Sequence, residues 1–220
     1  LKRNYSVSLH KKEASQTTVK NIEKMYGEDS IMRLGDPTSL NAEKLLVEDL
    51  FRSYTFENKL DIVLSYQMPQ GYEDAFGTFD ITAKTLFLNL DVLASRPRYE
   101  AFFYLLHELR HSMQYLHPEV FDVSIQKSLP YVVLYSGECF KLVDGVWKHC
   151  RLEGSEDYFT RAYENLPYEA DANRYAYETV KKLLPGDADK LEKLYSAWRP
   201  KRGFTEQEYH VLFEKIDESI

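Results

Sequence analysis

The sequence predicts an α+β fold in which a small sheet packs on one long apolar helix and further helices complete the layer. Three observations predict it. Apolar residues alternate around a polar turn between Phe76 and Leu90, which is the period of a hairpin. Tyr99 to Leu116 then runs without Gly or Pro and is rich in Leu and Phe, which is a buried helix. After Leu166-Pro167 the chain is punctuated as successive helices by Pro, Gly and a capping box.

In chain order, Thr17–Tyr26 reads as a short helix stopped at Gly27, and Asn41–Ser53 as a longer amphipathic one. Leu60–Tyr66 reads as a strand in which Asp61 interrupts Leu60, Ile62, Val63 and Leu64. The first hairpin sets Phe76 against Leu86, Leu88 and Leu90 across a turn at Ile81–Lys84. Pro97 and Arg98, following Ser95, open the long helix, and Pro118 closes it. Phe102, Phe103, Leu105, Leu106, Leu109 and Met113 are too many for one thin stripe, so this helix is packed on more than one side. A hairpin insertion at about 131–152 turns at Asp144-Gly145, between Phe140–Val143 and Val146–Lys148. Tyr168–Leu184 follows as a helix ended by Pro185-Gly186. Asp187–Trp198 and Thr205–Ile216 come last, the latter opened by the capping box Thr205-Glu206-Gln207-Glu208. No linker or repeat divides the 220 residues, so one domain over 1–220 is the expectation.

Composition narrows the classes of function. A hydrophobic content of 44% with 29% charged residues is that of a globular protein, and no run approaches the ~18 apolar residues of a membrane span. A net charge of −7 argues against a nucleic-acid surface, which needs clustered Lys and Arg, and suits a basic partner better. The small groups Lys11-Lys12, Lys181-Lys182 and Arg199–Arg202 read as solvated faces. Two cysteines, Cys139 and Cys150, flank the second hairpin and are able to pair if oxidised, but so few favour a reducing, cytoplasmic setting. The chain starts at Leu1 rather than Met, so removal of a preceding segment, such as a signal, is compatible with it. The oligomeric state stays open.

Chemistry concentrates in the long helix. His107-Glu108-Leu109-Arg110-His111 is an HExxH pattern, and residues at i and i+4 share a helix face. His107 and His111 can therefore bind one Zn²⁺, while Glu108, a step around the axis, reaches a water beside it as general base. The plain alternative is a pair of core histidines satisfied by hydrogen bonds.

A third protein ligand has four candidates. His117 has metzincin-like spacing, yet Gln114 stands where that pattern needs a Gly to turn the chain. An unbroken helix carries residue 117 roughly 15 Å along the axis from residue 107. Cys139 and His149 belong to the second hairpin and sit in no ligand-like pattern. Glu169 ranks first: it opens a helix in which Ala170, Ala172 and Ala176 permit close approach to the HExxH helix. One turn on, Asn173 can hydrogen-bond the non-ligating nitrogen of a metal-bound imidazole. The alternative for Glu169 is an acidic first turn that favours the helix dipole.

These residues also carry a resemblance. His107-Glu108-x-x-His111 followed by Glu169-x-x-Ala172-Asn173-x-Tyr175-Ala176 resembles the ImmA/IrrE-like gluzincin metalloproteases, whose second motif reads E-x-x-A-N-x-F-A. Phe76–Asp80 and Thr85–Leu90 are similar to the hairpin that precedes the active-site helix in that family. The resemblance covers about half of the chain, from Ala75 to Leu184. Two departures stand out. The 57 residues from 112 to 168 make a long spacer, and Arg110 replaces the small residue of HExGH.

The resulting expectation is a zincin-like zinc endopeptidase of the gluzincin type acting on a protein or peptide. His107, His111 and Glu169 hold one Zn²⁺, and Glu108 is the base. Thr85–Leu90 is expected to be a free edge that pairs with extended substrate through Leu86, Phe87 and Leu88. Any of Tyr135, Tyr158, Tyr163 or Tyr168 can stabilise an oxyanion, and nothing in the sequence selects one. The alternatives are a zinc hydrolase of a non-peptide amide and a regulatory zinc-binding protein. The resemblance further implies cutting of a transcriptional repressor.

Overall fold

A computed structural model describes residues 40–93 and 96–220. The expected helix at Thr17–Tyr26 and the pair Lys11-Lys12 lie outside the described residues.

The protein is α+β. Helix α1 (Leu40–Asn58) leads to strand β1 (Val63–Ser65), and β2 (Gly77–Asp80) and β3 (Thr85–Leu88) form the first hairpin. A short α2 (Leu90–Leu93) precedes the long α3 (Arg98–Leu116). Then come α4 (Val123–Ser128), the strands β4 (Tyr131–Val133), β5 (Glu138–Val143) and β6 (Val146–Arg151), and the helices α5 (Glu156–Asn165), α6 (Pro167–Leu183), α7 (Ala188–Trp198) and α8 (Glu206–Glu218).

The first sheet has the order β1-β3-β2. Its hairpin is closed by Asp80, whose carboxylate accepts from the N–H groups of Thr82 (2.8 Å) and Ala83 (2.9 Å), a side-chain-stabilised turn that also uses Lys84 at φ 47°. β3 is not the free edge that the sequence suggested. It pairs antiparallel with β2 (Gly77↔Leu88, Asp80↔Thr85) and parallel with β1 (Val63↔Thr85), so both of its sides are occupied. The physical reason is that the Leu60–Tyr66 segment, read as a separate strand, returns alongside Thr85, with Val63 N–H donating to the Lys84 carbonyl at 2.9 Å. The edge next to α3 is β2.

The second sheet is an antiparallel meander, β4-β5-β6, whose Asp144-Gly145 turn has both residues at positive φ (50° and 74°), as a two-residue hairpin loop requires. The expected hairpin insertion is thus present, extended by β4.

Two apolar clusters hold these layers. In the first, Leu105, Leu106 and Leu109 of α3, each fully buried, pack with Val47 and Leu50 of α1, Phe79, Leu86 and Leu88 of the first sheet, and Val180 of α6. The second gathers Phe121, Ile125, Val133, Phe159, Leu166, Leu212 and Ile216. Each such side chain contributes about 1.5–3 kcal/mol on burial. Helix α6 belongs to both, with Tyr168 in the second cluster and Tyr175 and Ala176 in the first. This double anchorage fixes α6 against α3, and with it the site described next. No helix among the described residues is long and apolar enough to cross a membrane.

Candidate metal centre

Helical spacing on α3 sets His107 and His111 one turn apart, with their Nε2 atoms 2.5 Å from each other. From α6, where Pro167 starts the helix and the fully buried Ala172 lets the two helices come close, Glu169 reaches across. Its Oε2 lies 3.5 Å from His107 Nε2 and 3.8 Å from His111 Nε2. The three side chains are 13%, 2% and 3% exposed.

Electrostatics sharpen this geometry. Burial pushes the His107 pKa down to about 4, opposed by a hydrogen bond with Asn173. Burial likewise drives His111 well below the usual imidazole range, and the neighbouring His107 adds to it. Both rings are neutral at pH 7 and present lone pairs. Burial raises the Glu169 carboxyl well above its ordinary value, the nearby Glu108 carboxylate adds to this, and a Tyr163 hydrogen bond opposes it. Glu169 Oε2 itself is buried with no hydrogen-bond partner. A buried orphan carboxylate oxygen is costly unless it meets a cation or a donor.

The residues fit Zn²⁺. Two nitrogens each 2.0–2.1 Å from a tetrahedral ion stand roughly 3.3 Å apart, so less than about 1 Å of ring movement separates the observed pair from a ligating one. The outer faces of the rings are also supported. His111 Nδ1 meets Gln114 Oε1 at 3.2 Å, which holds the proton on Nδ1 and frees Nε2 for a metal. Asn173, 3% exposed, lies beside His107, whose buried Nδ1 has no hydrogen-bond partner of good geometry.

Glu108 is 9% exposed, and its carboxylate and the two imidazoles have ligand-type atoms all within 4.8 Å of one another. Its position depends on Gly77 of β2. A Cβ at residue 77 would stand 2.9 Å from Glu108 Cγ and 3.1 Å from the Phe87 carbonyl oxygen, so only glycine leaves room for the glutamate against the strand.

Behind the site, the buried Arg110 donates through Nε and Nη2 to Asp171 Oδ2, each at 3.2 Å, and lies 4.2 Å above the Tyr175 ring. A hydrogen bond with Tyr54 adds α1 to this network. The pair links positions close to His111 on one helix and Glu169 on the other and so fixes their register.

The site opens into a cleft of about 490 Å³, lined by β2, the 71–76 loop, α3, Tyr135, Tyr163 and Trp198. The sequence-predicted residues divide clearly. His107, Glu108, His111, Glu169 and Asn173 all line this cleft. His117 caps the end of α3, 38% exposed, and pairs with Glu119 at 3.4 Å. His149 faces Glu138 on the second sheet. Cys139 and Cys150 are register partners across β5 and β6, buried as free thiols. Leu86 and Leu88 are fully buried, and neither they nor Phe87, expected to meet substrate, are among the described residues lining the cleft, whereas Gly77 and Thr78 of β2 are. Of the four tyrosines, Tyr135 and Tyr163 line the cleft, Tyr168 donates to the Tyr131 carbonyl at 2.8 Å, and Tyr158 packs on Phe159 and Phe204. Gly77, Gln114, Tyr163's bond to Glu169, and Trp198 were not singled out from sequence. Gly77 alone had a legible signal, a glycine inside a strand pattern.

Comparison with protein-family models, with curated proteins and with solved structures finds no match for this chain.

Proposed function

We propose that this protein is a zinc-dependent endopeptidase with a zincin-like fold, of the gluzincin kind, in which His107, His111 and Glu169 hold the ion and Glu108 is the general base. The observation that carries the reading is the convergence of two neutral imidazole nitrogens with a buried, unpartnered carboxylate oxygen at 3.5 and 3.8 Å. A bound Zn²⁺ supplies Lewis-acid polarisation of a carbonyl and lowers the pKa of water from about 15.7 towards about 7.

The chain's own residues do the rest. Glu108, held against Gly77, takes the proton of the attacking water and returns it to the leaving amine. Tyr135, which lines the cleft and shares a hydrogen bond with Tyr163, is the hydroxyl we assign as donor to a developing oxyanion, since Tyr163 is bonded to Glu169. β2, as an outer strand of its sheet, offers main-chain groups at Gly77 and Thr78 to an extended peptide.

An intact base favours catalysis over a purely structural zinc site, which is closed by a fourth ligand and needs none. The composition is consistent with a cytoplasmic setting. The direct test is Glu108→Gln, which removes the base and leaves the ligands: zinc content stays at one per chain while cleavage of a peptide library falls by at least about 10²-fold. Retained cleavage in that variant excludes this mechanism.

A further inference from the structure

One buried side chain outside the metal site ties a wall of the cleft to the first sheet. Asn89, which follows β3 and is 5% exposed, uses both ends of its amide on main-chain partners. Its Oδ1 accepts from Val92 N–H at 3.1 Å and so caps the start of α2. Its Nδ2 donates to the Glu73 carbonyl at 2.7 Å, in the middle of the 71–76 loop. These partners fix the amide's orientation, because a carbonyl needs a donor and an N–H needs an acceptor. Asp offers no donor, a Ser hydroxyl is too short to serve both partners, and Gln adds a methylene where almost no free surface remains.

The loop matters because it is a wall of the site. Gly71 to Phe76 all line the cleft that His107, Glu108 and His111 share. Several of its hydrogen bonds are local: Tyr72 N–H to the Pro69 carbonyl at 3.1 Å, Ala75 N–H to the Tyr72 carbonyl at 3.0 Å, and Gly71 N–H to Glu73 Oε1 at 2.9 Å. These shape the loop without attaching it to the sheet. Attachment at its far end comes from the Phe76 ring, stacked on Tyr104 of α3 at 3.9 Å, and from Asn89 N–H, which donates to the Phe76 carbonyl at 2.9 Å. The latter bond extends the β2–β3 ladder one step past Gly77↔Leu88 and uses main chain alone. The Asn89 side chain instead holds the loop's middle. Its loss therefore releases the wall while Gly77, and the Glu108 side chain against it, keep their support.

We propose that Asn89 is a positioning residue: by holding the Glu73 carbonyl it keeps the 71–76 loop as a fixed wall of the cleft, and so sets the affinity for substrate without taking part in bond cleavage. The reference to substrate rests on the endopeptidase reading above, whereas the clamp itself does not. A wall that meets ground state and transition state alike changes KM and leaves kcat alone.

The test compares the zinc-loaded wild type with Asn89→Ser and Asn89→Ala. Ser keeps a cap for α2 but cannot also reach Glu73, whereas Ala loses both contacts. Hydrogen exchange read by mass spectrometry follows the loop, and steady-state cleavage of a peptide taken from a degenerate library gives KM and kcat. Both variants are expected to exchange the 71–76 amides about five- to ten-fold faster and to raise KM by a similar factor, the equilibrium worth of one such bond. Zinc content stays unchanged, and kcat stays within about two-fold of the wild type. A KM effect seen in Asn89→Ala but not in Asn89→Ser follows the helix cap and overturns the proposal. A fall in kcat at constant KM, or unchanged loop exchange in Asn89→Ser, overturns it as well. Unchanged KM in both variants, with the wild type cutting peptides, overturns the clamp's role and leaves the endopeptidase reading standing. A wild type that cuts no peptide overturns that reading instead, and loop exchange in Asn89→Ser then decides the clamp by itself.

Discussion

Two places in this molecule set histidine against glutamate, and they behave differently. Between α3 and α6, His107, His111 and Glu169 are 13%, 2% and 3% exposed. On the second sheet, His149 and Glu138 form a close pair at 52% and 28% exposure, with Arg151 also on Glu138 at 3.3 Å. Water screens the second arrangement, so it is worth about 0.2–1 kcal/mol. In the first, burial strips the imidazoles of their protons and leaves Glu169 Oε2 without a partner, a configuration that a cation relieves. Residue types alone therefore do not make a site. Desolvation and an unmet hydrogen-bonding requirement do.

Three substitutions probe this contrast. The largest effect is expected behind the buried site: Asp171→Ala removes the acceptor of both Arg110 hydrogen bonds in the protein interior. Loss of one partner of a buried pair costs about 3–5 kcal/mol, and the low end applies because Tyr54 still bonds the guanidinium. A urea melt reads this directly, and an unchanged midpoint removes the network from the account. Next comes Gly77→Ala, whose new Cβ has 2.9 Å to Glu108 Cγ and must displace the base or the strand. Peptidase activity is expected to fall by about 10²-fold with zinc content unchanged, as a displacement of about 1 Å at a reacting group is that costly. Equal activity means that Glu108 needs no such wall. Smallest is His149→Ala on the exposed pair, expected to change stability by less than about 1 kcal/mol and metal content not at all. A loss of zinc there would erase the distinction between the two regions.

The sequence was most legible where one local pattern decides the structure. The HExxH spacing, the Asp144-Gly145 turn and the capping box at Thr205 depend on a few neighbouring residues, and each is observed, the last with both of its reciprocal hydrogen bonds. Glu169 was legible because Pro167 marks its helix start and the small residues after it mark a close helix contact. Long-range pairing was less legible. Nothing in Leu60–Tyr66 states that it runs parallel to Thr85–Leu88, so β3 read as an edge although it lies in the middle of its sheet. Helix α5 was overlooked although Ser155 caps it, Glu156 and Asp157 follow and its apolar residues keep a helical period, because its ten residues are few and polar overall. Gln114 was considered only as a residue that is not glycine. Its carbonyl oxygen faces His111 because the two share a helix face, a relation that i, i+3 spacing contains but does not announce.

The central claim is that Glu169, rather than any histidine outside the motif, completes the metal site. The most direct measurement is zinc per chain, by elemental analysis after exhaustive dialysis, for the wild type, Glu169→Ala and His117→Ala. The account predicts one zinc per chain in the wild type and in His117→Ala, whose side chain is occupied with Glu119, and little or none in Glu169→Ala. Full zinc retention in Glu169→Ala together with its loss in His117→Ala would contradict the account.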